Sequence, residues 1–140
     1  MSPDEARSRF ASGRVARLAT AGADAVPHVV PIVFAVDGDI VYSAVDAKPK
    51  RTTALRRLAN VRENPAAALL VDHYDDSDWS ALWWARADGR GRILQPDVAS
   101  ESAEAQHAVD LLRARYPQQH AVGAVLAVDV ERWSGWSARI

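Results

Sequence analysis

The sequence predicts a small antiparallel β-barrel of the α+β type. Three observations carry this. Six runs are rich in β-branched and aromatic residues, a strong Asp37-Gly38 hairpin turn separates two of them, and two or three amphipathic segments of helical length are inserted between them. At 140 residues the chain is read as one domain over 1–140, long enough to bury a core.

Residues 3–12 read as a short helix, with Pro3 in its first turn and Gly13 at its end. A strand over 14–20 and a turn at 22–24 follow. Residues 26–36 read as one strongly β-branched strand, turned by Asp37-Gly38 into a partner over 40–45. Pro27 and Pro31 lie in the first arm, and proline donates no ladder hydrogen bond. An edge, a bulge or an unusual neighbour is therefore expected there, with open backbone beside Pro31. Residues 52–62 read as a helix started by Thr52 or Thr53 and ended by Asn64-Pro65. Residues 66–74 form a buried-type strand and 75–78 a turn. Residues 82–94 form a strand region broken by a hairpin or a bulge near Gly89 and Gly91. The longest helix spans 99–116, and a last strand spans 122–130 ahead of a tail with Trp133 and Trp136.

Composition excludes several classes. With 17 basic and 18 acidic residues there is no net field for nucleic acid or a membrane surface. There are no cysteines, hence no disulfide, thiolate nucleophile or thiolate metal site. No apolar run reaches the roughly 20 residues of a membrane span. The polar start Ser2-Pro3-Asp4-Glu5 reads as no signal peptide, so a cytoplasmic location is expected. No Walker, dinucleotide-glycine or Ser-His-Asp pattern occurs, and the four histidines are scattered, so no catalytic or metal-binding residue is assigned. The acidic run Asp72, Asp75, Asp76, Asp78 lacks the glycine and terminal glutamate of a calcium loop and reads as a solvated turn. Alternation puts Trp83 and Trp84 on opposite sheet faces, so at least one is expected at an interface.

Only two lysines occur, Lys48 and Lys50, side by side in Lys48-Pro49-Lys50-Arg51-Thr52-Thr53, and no acid lies between Asp46 and Glu63. Lysine is a compact point charge suited to phosphate, and a helix start adds free N–H groups and a positive dipole end. From the residues alone an anion site and a solvated basic loop both stand.

Taken in order, Phe10, the run 14–20, Pro27-His28-Val29-Val30-Pro31-Ile32, Lys48-Pro49-Lys50-Arg51, Asn64-Pro65, Trp83-Trp84 with Arg86 and Gly89, and Trp133 with Trp136-Ser137 resemble the pyridoxamine 5′-phosphate oxidase-like superfamily. The chain is most similar to its branch of deazaflavin-dependent (coenzyme F-420) enzymes. The resemblance implies a six-stranded antiparallel split β-barrel and a homodimer with a flavin-like cofactor in a groove between subunits. It places Lys48, Lys50, Arg51, Thr52 and Thr53 at the cofactor phosphate and Val29, Val30, Pro31 and Ile32 along the ring edge. It also implies Tyr42, Ser43 and Ala44 in the groove, with Trp79 or Trp136 closing it from the second subunit. Arg56 and Arg57 match the longer anionic tail of the deazaflavin coenzyme; flavin mononucleotide is the alternative cofactor. The expected activity is hydride transfer to a small organic acceptor. A non-catalytic carrier of a flavin, deazaflavin or haem-like ligand is the reading from another class.

Overall fold

Val33 and Phe34 carry the chain from one edge of the sheet to the other. The computed structural model describes residues 1–46, 52–119 and 121–139. The elements are α1 (Pro3–Ser12), β1 (Ala16–Ala21), β2 (Pro27–Ile32), β3 (Ala35–Asp37), β4 (Ile40–Asp46), α2 (Thr52–Glu63), β5 (Ala66–His73), a 3₁₀ turn (Trp79–Ala81), β6 (Trp83–Leu94), α3 (Ser102–Arg115) and β7 (Ala121–Ser137). All strand pairs are antiparallel, in one sheet of order β2-β1-β5-β6-β7-β4-β3. Its two edge strands, β2 and β3, are joined by two residues, which span at most about 11 Å from Ile32 to Ala35. The sheet therefore curls until its edges nearly meet, yet no ladder joins them. This is consistent with a split barrel.

The strand count corrects the expectation of six strands. Residues 26–36 divide at Phe34, whose fully buried ring sits 4.9 Å from Phe10, and Phe10 lies 5.3 Å from Trp133. Seven strands result, in an open sheet, rather than the six of the expected split barrel. The last strand also runs on through the predicted tail to Ser137, and β6 is one continuous strand rather than a hairpin. The bulge is in β7, where Glu131 is the extra residue opposite the Asp88–Gly89 step, and an added Cβ at Gly89 would lie 2.1 Å from the Asp129 carbonyl oxygen. Gly38 closes the β3–β4 turn at φ 60°, as the Asp-Gly pair predicts.

Arg115, at the end of α3, fastens the closure. Its guanidinium donates to the carbonyls of Ala11 (3.1 Å), Phe34 (3.4 Å) and Gly13 and lies 5.0 Å from the Phe34 ring centroid. The concave face holds the main core, which includes Phe10, Leu18, Leu58, Val61, Leu69, Val128 and Trp133 from α1, α2 and the strands. On the convex face α3 buries Ala105, Ala108 and Leu112 against Tyr42, Ala44, Val125 and Ala127. The remaining convex face, over β2, β1, β5 and the adjoining part of β6, has no described helix on it. No helix among the described residues is long and apolar enough to cross a membrane.

Charge holds α3 down as well. Arg92 donates to both Glu104 oxygens (2.7 and 2.8 Å) and to both Asp129 oxygens (2.7 and 3.0 Å), and the Tyr42 hydroxyl donates to Glu104 at 2.7 Å. The Arg92 hydrogen bonds hold the Glu104 carboxyl at about 2, below its ordinary 4.5. A depressed carboxylate stabilises the fold above its unfolded-state pKa, and that contribution disappears as pH falls through the folded-state value. Acid titration of unfolding free energy is expected to show a loss between pH 4.5 and 2 that Glu104→Gln flattens. A variant with the wild-type acid limb would show that this pairing does not anchor α3.

Candidate functional site

The two prolines fix which way the β2 backbone faces. The β1–β2 ladder runs unbroken from Ala16↔Ile32 to Ala21↔Pro27. Successive residues of a strand point their N–H and C=O to alternate sides, and Pro27 and Pro31 have no N–H. The full ladder forms only if His28, Val30 and Ile32 bond to β1. The N–H and C=O of Val29 and the C=O of Pro31 then point off the sheet edge, where no described strand pairs with them. The edge expected from the prolines is present.

Residues opposite one another in register share a face. On the uncovered convex face one row is Pro31, Arg17, Leu70, Arg86 and Ser134; beside it run Val29, Ala19, Ala68 and Asp88, and on the other flank Asp72, Trp84 and Trp136. A groove of about 500 Å³ opens here, lined by Arg17, Val29, Leu70, Asp72, Trp84 and Arg86 over an alanine floor. Val29 is 61% exposed, Leu70 37% and Trp136 48%, a large apolar display for one sheet face. Arg86 pairs with Asp88 at 2.8 Å and lies 5.7 Å from the Trp84 ring centroid. Arg17 is exposed and forms no ion pair among the described residues. The buried Ser134 Oγ and His28 Nδ1 have no hydrogen-bond partner among them.

The predicted site residues divide accordingly. Val29 and Pro31 stand on the open face and edge, whereas Ile32 is buried and Val30 packs on the core. Trp136 lies on the same face, across from Trp84. Trp79 is 66% exposed in the 3₁₀ turn, which Asp78 caps through the Ser80 N–H at 3.0 Å. Tyr42, Ser43 and Ala44 are buried: Tyr42 and Ala44 lie under α3, and Ser43 points with Val41 toward the barrel core. They do not line the groove beside β2, because α3 covers Tyr42 and Ala44 and Ser43 faces the core.

Lys48, Lys50 and Arg51 lie outside the described residues, as does His120. Thr52 and Thr53 open α2, as the sequence predicts. Farther along that helix Arg56 is exposed, and burial lowers the Arg57 pKa from its ordinary value. Asn60 Nδ2 donates to Thr20 Oγ1 at 3.1 Å, both groups buried, tying α2 to β1. The acidic run forms tight turns, with Asp75 accepting from the Ser77 N–H at 2.9 Å, and no metal-binding cluster occurs among the described residues.

Sequence reasoning missed Arg17, Leu70, Trp84 and Arg86 as groove residues. Strand alternation was the available signal, since Ala16, Leu18 and Thr20 turn inward and leave Arg17 outward. Trp83 and Trp84 lie on opposite faces as alternation predicts: Trp83 packs on the core and Trp84 lines the groove.

The sequence pattern of the pyridoxamine 5′-phosphate oxidase family (PNPOx_N) matches residues 2–137. No curated protein matches the chain. Among solved structures, a conserved hypothetical protein of Mycobacterium tuberculosis is similar at 20% identity, covering 99% of this chain and 86% of its own, with a TM-score of 0.76. A FAD-binding protein of Mesorhizobium loti is 24% identical, covering 96% and 94%, with a TM-score of 0.73. The FAD-binding protein of Mycobacterium smegmatis is 20% identical, covering 97% and 94%, with a TM-score of 0.67.

Asn60→Ala is expected to cost about 2 kcal/mol in urea unfolding, because Thr20 loses its buried partner. An unchanged midpoint would show that this bond does not hold α2 on the sheet.

Proposed function

Because the chain belongs to the pyridoxamine 5′-phosphate oxidase family, we propose that it is a homodimeric oxidoreductase that binds the deazaflavin coenzyme F-420 along β2 and reduces a small organic acceptor. The observation that carries this reading is the outward-facing backbone of Val29 and Pro31 beside an open apolar groove. A flat heterocycle with a polar edge fits that combination, since the strand edge offers one donor and two acceptors and the groove offers apolar surface. When bound in its reduced form, the coenzyme would supply a hydride to the acceptor.

The chain's own residues do the placing. Val29 and Pro31 orient the ring edge. Lys50 and Arg51, assisted by Lys48, Thr52 and Thr53, hold the phosphate by charge-assisted hydrogen bonds. Arg56 and Arg57 meet the anionic tail. The uncovered convex face receives a second copy of the chain, whose Trp79 or Trp136 excludes water from the groove. A flavin is the second reading, favoured by the FAD-binding proteins of M. loti and M. smegmatis that share the fold. Absorbance titration with coenzyme F-420, flavin mononucleotide and FAD distinguishes the two.

Lys50→Ala combined with Arg51→Ala is expected to weaken coenzyme binding by about 2–4 kcal/mol, read by fluorescence quenching. Unchanged affinity would remove the phosphate assignment.

A further inference from the structure

The convex-face groove is continuous with the coenzyme strand, because Val29 belongs to both, and its polar groups are unequal. Two guanidiniums, Arg17 and Arg86, face one carboxylate, Asp72, across its lining. Arg86 is neutralised by Asp88 at 2.8 Å. Arg17 has Pro31 and Leu70 as its cross-strand neighbours, neither of which pairs with a cation. Leu70 lies between the two arginines, with the alanines and Val29 on one flank of that row and the flat indole of Trp84 on the other. The orphaned Ser134 hydroxyl ends the same cross-strand row, opposite Arg86.

We propose that this groove is the acceptor subsite and that Arg17 selects acceptors carrying a carboxylate on a flat, apolar body. A planar guanidinium matches one carboxylate in a two-point contact, and one guanidinium that forms no ion pair among the described residues, with Asp72 also in the lining, suits a monoanion better than a phosphate dianion. Trp84 and Leu70 give the body an apolar surface to lie on. The role as acceptor subsite rests on the coenzyme reading above; the carboxylate preference of Arg17 is separable from it.

The test titrates purified protein with 2-naphthoate and 2-naphthamide, which differ only in the anionic group, and reads tryptophan fluorescence. Wild type is expected to bind the acid about tenfold more tightly than the amide. Arg17→Ala should bring the two affinities together and Arg17→Lys should restore part of the difference. The oligomeric state, from light scattering, should stay at its wild-type value. Equal affinities in wild type, or a preference that survives Arg17→Ala, would overturn the proposal. So would dissociation of Arg17→Ala into monomers, which would assign Arg17 to the contact with a second copy. If wild type shows the preference but binds no coenzyme, the carboxylate site stands and the coenzyme reading falls.

Discussion

The two-residue link at Val33-Phe34 is the constraint on which the rest of the structure depends. Two residues cannot cross a flat seven-stranded sheet, since neighbouring strands stand about 4.8 Å apart. The sheet curls, and its concave side becomes the core around Phe34, Phe10 and Trp133. Arg115 collects the carbonyls of Ala11, Gly13 and Phe34 that this tight closure would otherwise leave without donors. The helices then divide the labour: α1 and α2 fill the inside, and α3 takes half of the outside.

What remains uncovered is where chemistry is possible. Curling leaves β2 as an edge, and an edge strand is a liability unless it is blunted or used. Pro27 and Pro31 blunt it by removing donors, while Val29 and Pro31 keep outward-facing backbone groups. The adjoining face carries exposed Val29, Leu70 and Trp136. Under the proposed reading such a site needs no catalytic side chain, because an organic cofactor would bring the reactive atoms and the protein the placement.

Much of this was legible in the residues. The prolines announced the edge, Asp37-Gly38 the hairpin, and the glycines at 89 and 91 the irregular register, although the extra residue is Glu131 on the facing strand. The division of 26–36 was not, because a β-branched run without a break reads as one strand; only burial of the Phe34 ring separates its halves. The extension of β7 was hidden because its outer part alternates tryptophan with glycine and serine instead of aliphatic residues. Tyr42 and Ala44 seemed open because nothing in their strand reveals that α3 lies over them. Nothing local singles out Arg17, whose neighbours in the groove, Pro31 on β2 and Leu70 on β5, are distant in the chain.

The central claim is that the outward edge of β2 is the surface that recognises the coenzyme. Residue-resolved amide exchange with and without coenzyme F-420 tests it most directly. The Val29 amide should exchange rapidly in the free protein and slow markedly on binding, while Val30, bonded to β1, is protected in both. A Val29 amide that stays fast in a saturated complex would contradict the account.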